Sequence, residues 1–268
     1  ALADLGVAPK GLREPFKRLF TQGMIRLGGT KMSKSKGNLV APEAILDDQG
    51  ADALRLAHLQ VKPPQEDVDW EDFGIDGCAK FLNRVWRLAV PGSDLITEAR
   101  TGESTEADAE IDRATHRLVA RITGEYDRWS YNTAVAGFME FTNTLYRYVQ
   151  TDEGPHTETL AGAVNALLLV MAPAAPHLCA ELWETRNGGH VHVEAWPTAD
   201  PAKLIDEIVT MVVQVNGKVR DRIDVPSDLD VDAATSLALA CEKVVAALAG
   251  NEPQKVIARP PKLVNIVV

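Results

Sequence analysis

The sequence predicts a mainly α-helical protein that ends in a small α+β domain. From residue 76 to about residue 185, apolar residues recur at the three- and four-residue spacing of helices that bury one face. After residue 203 the pattern changes to the two-residue alternation of strands, and Asn216-Gly217 is the dipeptide that a type I′ hairpin turn favours. We therefore expect an antiparallel helix bundle followed by a separate domain that contains a sheet.

Four parts are expected along the 268 residues. Residues 1–40 mix short apolar pieces with basic residues. Residues 41–75 form a connector of two short helices, the second over residues 51–60. The bundle takes residues 76–202, and a linker rich in Pro and Asp precedes the C-terminal domain of residues 203–268.

The bundle is expected to contain four or five helices, because Pro173 and Pro176 interrupt the last of four helical segments. Residues 92–108 are small, polar and acidic, which indicates a surface loop. Trp129 and Trp183 are interpreted as core residues rather than as platforms for base stacking. The expected helical ranges are 76–89, 111–127, 132–149 and 160–184.

The C-terminal domain should begin with a hairpin of strands 208–215 and 218–225, followed by one helix over residues 233–249. Two short strands near residues 256–258 and 263–267 complete it. On the return strand of the hairpin the cations alternate with other residues, so the two-residue period places them on one face. These cations are Lys218, Arg220 and Arg222.

The bulk composition is that of an ordinary water-soluble protein, with 46% apolar and 25% charged residues. No apolar run approaches the roughly 18–20 residues of a membrane span. The three cysteines have no short pairing, which excludes a Cys-x-x-Cys motif and indicates a reducing compartment, the cytoplasm, with buried free thiols. His190 and His192 share one face of an expected strand but have no third ligand nearby, so no metal site is predicted.

The net charge of −10 is unevenly distributed. Residues 1–36 carry eight basic and two acidic residues, and residues 203–268 carry eight basic and nine acidic residues, which leaves a net of −15 in the middle. A polyanion should therefore bind at the two ends of the chain. One stripe in the middle, Arg113, Arg117 and Arg121, is interpreted as a solvated or salt-bridged helix face.

The segment from Lys31 to Lys36 holds three lysines and two serines, with glycines on both sides. The glycines favour a mobile loop over a helix. Lysine charges and serine hydroxyls suit a phosphate whose charge changes during a reaction. By composition alone, a solvated basic loop stays open as the alternative.

The order of the residues narrows this choice. Lys31-Met32-Ser33-Lys34-Ser35 resembles the signature loop of class I aminoacyl-tRNA synthetases, and residues 14–20, 22–24 and 50–56 extend the resemblance. Residues 63–77 are similar to the leucyl-tRNA synthetases in particular. The resemblance also covers the bundle, at residues 131–134 and 171–178, and the C-terminal domain of the bacterial leucyl enzymes.

This resemblance implies that residues 1–40 are the end of a catalytic domain and that residues 41–75 form a stem-contact region. It also implies an anticodon-binding type of bundle at residues 76–202 and a tRNA-binding domain at residues 203–268. It implies that the loop binds ATP, a substrate that carries Mg²⁺ in the full enzyme, and that the lysines act on the departing pyrophosphate. The implied ATP-binding residues are Lys31, Met32, Ser33, Lys34 and Ser35, with Lys34 and Lys31 catalytic. The implied tRNA phosphate contacts are Lys218, Arg220, Arg222, Lys255, Arg259 and Lys262.

The implied substrates are leucine, ATP and tRNA(Leu), and a monomer is expected. The chain lacks the His-x-Gly-His motif that supplies the other ATP contacts in this family, and its first residue is not Met. We therefore expect the C-terminal part of a longer ligase, inactive by itself. A non-catalytic tRNA-binding module or a regulatory fragment remains the alternative.

Overall fold

The structure is a computed structural model that describes residues 3–9, 11–12, 14, 16, 18–96, 98–205, 208–227 and 229–268, without the side chain of Ile208. Four residues used in the N-terminal charge count or in the 14–20 segment lie outside the described residues: Lys10, Arg13, Pro15 and Lys17. The chain forms two compact units, residues 1–199 and 200–268. The predicted boundary at residues 202/203 lies three positions further along.

The first unit is mainly helical, as the apolar spacing predicts. Its helices bury one continuous apolar core, in which Phe138, Leu145 and Leu167 are inaccessible to solvent. The helices are α1 (Glu43–Gln49), α2 (Ala51–Gln60), α3 (Ile75–Ala89), α4 (Glu106–Asp127), α5 (Tyr131–Val149), α6 (Thr157–Met171) and α7 (Pro176–Asn187).

Helix α4 begins five residues earlier than expected, inside the segment interpreted as a surface loop. The Thr105 side chain accepts a hydrogen bond from the third helical amide, while Asp108 Oδ2 accepts one from Thr105 N at 2.7 Å. This capping box satisfies amides that the first helical turn leaves free. Its acid is Asp rather than the usual Glu or Gln, and this explains why the polar composition concealed the helix start.

Helix α2 holds the junction between α6 and α7 from both sides. Arg55 donates hydrogen bonds to the carbonyl oxygens of Pro173 and Ala174, at 2.9 and 3.2 Å. Asp52 accepts one from Leu178 N at 2.8 Å and pairs with His177 Nδ1 at 2.8 Å. A cation at the end of one helix and an acid at the start of the next both complement the helix dipoles. The proline junction is therefore a fixed turn.

A small three-stranded sheet joins strands from before α1 and after α2. Its strands are β1 (Ile25–Leu27), β2 (Thr30–Lys31) and β3 (Val68–Asp69), in the order β2-β1-β3. β1 and β2 form an antiparallel hairpin, whereas β1 and β3 are parallel. The chain leaves β2 into the lysine-rich segment.

The second unit is a four-stranded sheet with two helices on one face. The sheet order is β5-β4-β7-β6, and β4 and β7 are parallel. Its core contains Met211, Val213, Ala238, Val264 and Ile266. The elements are β4 (Ile208–Val215), β5 (Lys218–Pro226), α8 (Val231–Ala240), α9 (Glu242–Leu248), β6 (Lys255–Arg259) and β7 (Leu263–Val267).

The single helix expected over residues 233–249 is wrong, because the chain breaks at Cys241 into α8 and α9. Cys241 has an extended backbone, with φ −63° and ψ 124°. α8 packs against β6 and β7, and α9 packs against β4 and β5. The break lets two short helices cover the two halves of a twisted sheet. No Gly or Pro marks it in the sequence.

Three smaller features complete the description. Among the described residues, no helix combines the length and apolarity needed to cross a bilayer. The strand expected at His190 and His192 is wrong, because a single 3-10 turn covers Val191–Val193 and both histidines are exposed. Cys78 and Cys179 are buried free thiols, but Cys241 is only half-buried. Burial raises the pKa of Cys78 to about 11.

Candidate functional site

The lysine-rich segment is carried by the β1–β2 hairpin. Gly28 and Gly29 form its two-residue turn, with φ angles of 57° and 71°. A turn with positive φ at both central positions matches the strand twist, and glycine adopts it without steric cost. Arg26 pairs with Lys31 across the hairpin, so these two side chains lie on the same face. The first lysine of the motif is thus fixed to a strand.

The rest of the segment contains one 3-10 turn over Lys34–Lys36, where an irregular loop was expected. The Asn38 side chain closes it: Oδ1 accepts a hydrogen bond from Ser33 N at 2.9 Å, and Nδ2 donates one to Lys31 O at 3.3 Å. The hydroxyls of Ser33 and Ser35 lie 3.3 Å apart. The amide of Asn38 is a contact that we did not predict from the sequence, although Asn is a common loop-closing residue.

The three lysines of the segment, Lys31, Lys34 and Lys36, are exposed. Within the described part of the chain, none of them forms an ion pair. Met32, which follows Lys31, is half-buried, and its backbone N donates a hydrogen bond to Ile25 O at 3.5 Å. Three unpaired cations with adjacent hydroxyls and amides are an arrangement that binds phosphate groups.

A second group of cations lies on the sheet of the C-terminal unit, and the register differs from the prediction. β5 contains a bulge, because Val213 pairs with Asp221 while Gln214 pairs with Val219, which leaves Arg220 as the extra residue. The one-face prediction for the three cations of β5 is therefore wrong for Lys218. It pairs with the buried Val215 at the turn, on the face opposite Arg222.

Arg222 lies on the face of the sheet that no helix covers. It pairs with Val212, whose neighbour Val213 is buried on the helix face. Arg220, the extra residue of the bulge, is exposed two positions before it on the same strand. Asp221 points toward the helices and pairs with Lys243 at 2.7 Å.

The opposite edge strand, β6, also presents cations on the open face. Val256 and Ala258 pack into the core, so the alternate residues Lys255 and Arg259 point away from it. Lys262 is exposed in the turn that joins β6 to β7. Three strand spacings separate the two edges, which is about 14 Å.

An uncharged strip lies between the two cationic edges. The paired residues Val212 and Leu263, and then Gln214 and Asn265, form its two rows. The exposed acid on this face, Asp224, accepts a hydrogen bond from Thr210 Oγ1 at 2.8 Å. We call this surface, with Arg220, Arg222, Lys255 and Arg259 at its edges, the open sheet face.

The arginine stripe of α4 is salt-bridged, in agreement with the interpretation from its sequence. Arg113 pairs with Glu106 and Glu110, Arg117 with Glu110, and Arg121 with Glu140. These cations are already neutralised by carboxylates of the helical unit. They are poor candidates for phosphate contacts.

The two tryptophans interpreted as core residues differ. Trp183 is 8% exposed and lies in the core, but Trp129 is 43% exposed, so that interpretation is wrong for Trp129. Its ring centroid is 4.4 Å from that of Phe20, and its φ is 60°. Its position in the tight connection between α4 and α5 keeps it at the surface.

Two family models match the chain. One, described as tRNA synthetases class I (I, L, M and V), matches residues 4–71, and the other, described as the anticodon-binding domain of tRNA ligase, matches residues 108–235. The chain is 40% identical over 303 aligned residues to a leucine–tRNA ligase of Symbiobacterium thermophilum, with 100% of this chain and 35% of the relative covered. A leucine–tRNA ligase of Lawsonia intracellularis is 39% identical over 278 residues, with 99% and 33% covered.

The chain belongs to the leucyl-tRNA synthetase family of class I. It spans about a third of the length of the curated relatives it matches. Among solved structures, the Agrobacterium radiobacter K84 agnB2 LeuRS in a ternary complex with tRNA and LeuAMS is similar, with a TM-score of 0.83 and 31% identity. The similarity covers 99% of this family member and 35% of that chain.

A second solved structure shows likeness of fold alone. It is the Mycobacterium tuberculosis methionyl-tRNA synthetase in complex with methionyl-adenylate, with a TM-score of 0.50 and 22% identity. It covers 62% of this chain and 37% of that one.

Proposed function

We propose that this chain forms part of a leucine–tRNA ligase that activates leucine with ATP and transfers it to tRNA(Leu). The observation that carries the proposal is the lysine segment, inside the residues that match the class I model: one lysine on the hairpin and two in the turn after it, all exposed and without an ion pair to any described residue. The whole enzyme is proposed to act as a monomer in the cytoplasm. Residues 41–75 would serve as its stem-contact region and residues 76–202 as an anticodon-binding type of bundle.

In this proposal, the lysine segment stabilises the negative charge that develops as pyrophosphate leaves ATP. Lys34 begins the 3-10 turn, where its side chain is free to reach a phosphate, and Lys31 is held by the hairpin. Fixed cations at the position where charge develops lower the barrier without reorganisation. Met32, Ser33 and Ser35 complete the proposed ATP contacts by anchoring the segment and by offering hydroxyls.

The Mg²⁺ that accompanies ATP has no ligand set within the described part of this chain. No group of three or more His, Cys, Asp or Glu residues there is arranged to hold a metal ion. The role that we propose for the lysine segment is contact with the phosphate oxygens of ATP.

The open sheet face is the proposed tRNA contact of the C-terminal unit. Its four exposed cations have no ion pairs with described residues, and Lys218 and Lys262 add charge at the two turns. Such cations position RNA through its phosphates without reading its sequence. The acidic, salt-bridged bundle is a weaker candidate. The complex of the similar Agrobacterium LeuRS contains tRNA, which supports this proposal.

The substitution Lys34→Ala in the ligase that carries this chain tests the proposal. Leucine-dependent pyrophosphate exchange should fall by about 10²–10³ in kcat, as for the loss of one stabilising contact to a transition state, with leucine binding nearly unchanged. Lys80→Ala is the control, because Lys80 is an exposed lysine of helix α3 outside the lysine segment. Full activity of Lys34→Ala would refute the assignment.

The non-catalytic tRNA-binding module that the sequence left open is less well supported. Residues 4–71 match a synthetase model, and the similar curated proteins are named ligases.

A further inference from the structure

Three carboxylates hold the strand that carries the lysine segment. Asp67 Oδ1 accepts a hydrogen bond from Met24 N at 2.8 Å, and Glu71 Oε1 accepts one from Gly28 N at 3.0 Å. Between them, both oxygens of Asp69 accept bonds from Arg26, from Nε at 3.0 Å and from Nη2 at 3.2 Å. We call these three acids the carboxylate ladder.

The spacing of the ladder follows from the parallel pairing of β1 with β3. Arg26 lies opposite Asp69 in the register, and alternate residues of both segments therefore meet. Val68 N donates to Met24 O at 3.1 Å, and Gly23 N donates to Pro64 O at 2.9 Å. The three carboxylates therefore accept hydrogen bonds from alternate residues of one segment, which runs along β1 to the first residue of the hairpin turn.

Asp69, Arg26 and Lys31 form one row across the sheet. Directly paired residues of neighbouring strands share a face, so the row places one acid and two cations side by side. Without the acid, Arg26 would repel Lys31 and could swing into its space. The bidentate pair with Asp69 fixes the guanidinium in its plane and balances its charge. Lys31 then remains the uncompensated cation of the row.

We propose that Asp69, acting through Arg26, is a positioning residue for the lysine segment. It keeps the hairpin in one register and Arg26 turned away from Lys31, so that Lys31 and Lys34 meet a triphosphate in one orientation. This inference rests on the proposed function of the segment. Glu71 assists by holding the amide at the first position of the hairpin turn.

The test compares Asp69→Asn with the wild type in the ligase that carries this chain. We expect kcat for leucine-dependent pyrophosphate exchange, corrected for active sites by titration, to fall about tenfold, since small misplacements of catalytic groups have effects of this size or larger. KM for leucine should not change. Hydrogen exchange at the amides of residues 24–32 should become about tenfold faster, because the strand edge opens more often. Glu140→Gln, which removes an exposed ion pair of α5, is the control for losing a salt bridge.

A second variant keeps the result interpretable. Arg26→Gln combined with Asp69→Asn removes the repelling cation together with its acid, and this double variant should retain more activity than Asp69→Asn alone. A merely structural role predicts the opposite order, with the double variant less stable and less active. Unchanged exchange at residues 24–32 in Asp69→Asn would overturn the inference, as would unchanged kcat. If Lys34→Ala is also fully active, the proposed function of the segment is refuted, and this inference is refuted with it. If Lys34→Ala is defective but Asp69→Asn is unchanged, only the positioning role of Asp69 is refuted.

Discussion

Gly23 is the residue on which the approach of the hairpin to the connector depends. A Cβ atom at this position would lie 2.0 Å from the carbonyl oxygen of Glu66, in backbone that cannot turn away as a side chain would. Even alanine therefore does not fit beside β3. The constraint comes from a backbone 43 positions further along the chain, so it is invisible in the local sequence around Gly23.

For Gly23→Ala we expect the first unit to lose about 1–3 kcal/mol of unfolding free energy, because the strands must separate to admit the methyl group. Urea unfolding followed by tryptophan fluorescence measures this unit, since all five tryptophans precede residue 200. Gly162→Ala is the matched control. Its added methyl meets open space in helix α6, so it should stabilise the unit by about 0.5–1 kcal/mol. A neutral Gly23→Ala would contradict the close approach.

At the scale of elements, Asp108 joins the start of α4 to its neighbours. The carboxylate is 1% exposed and accepts hydrogen bonds from Thr105, Tyr148 and Arg100. Burial raises its pKa, but the hydrogen bonds outweigh burial and hold the pKa of Asp108 below its ordinary value. Burial, aided by the bond to Asp108, raises the pKa of Tyr148 to about 12. The network therefore contains an ionised acid and a protonated phenol at neutral pH.

We expect Asp108→Asn to lower the unfolding free energy of the first unit by about 3 kcal/mol at pH 7, because Arg100 is left without its partner. The folded-state pKa is depressed, so this stabilisation is present above the unfolded value of about 3.9 and is lost as pH falls toward the folded value. The gap between wild type and Asp108→Asn should shrink below about pH 4. Urea midpoints across pH measure it, with Asp152→Asn in the exposed loop after α5 as the control. A gap that does not vary with pH would exclude the ionised form as its source.

The elements also show what could be predicted from sequence and what could not. Helical ranges with a clear apolar stripe were predicted to within a few residues, because burial of one face decides them. The break at Cys241 and the bulge at Arg220 were missed, since each serves the shape of a twisted sheet rather than any local preference. The lysine motif was identified from its order alone. The carboxylate ladder was not, because its pairs lie 43 positions apart.

At the scale of the whole molecule, nucleic-acid binding should depend more on the open sheet face than on the salt-bridged arginines of α4. A plot of log K for tRNA(Leu) binding against log salt concentration has a negative slope. With both Arg220→Gln and Arg222→Gln, this slope should become shallower by about 1–2, because binding releases fewer counterions when phosphate contacts are lost. Arg113→Gln with Arg117→Gln is the matched control, because those arginines are paired with glutamates. Filter binding across a salt series measures both. An equal change in the two double variants would remove the open sheet face from the proposal.

The hydrogen bonds from α2 to the junction between α6 and α7 affect the order in which the first unit folds during translation. Asp52 and Arg55 leave the ribosome 118 to 126 residues before the backbone groups that they bind. At about 5–20 residues per second, the delay is on the order of 10 s. During that interval α2 lacks the hydrogen bonds of Asp52 and Arg55 to the junction, and it lacks part of the core in which Leu56 is buried. The connector should therefore complete its structure after the bundle that follows it, so this unit does not mature in the order in which it is translated.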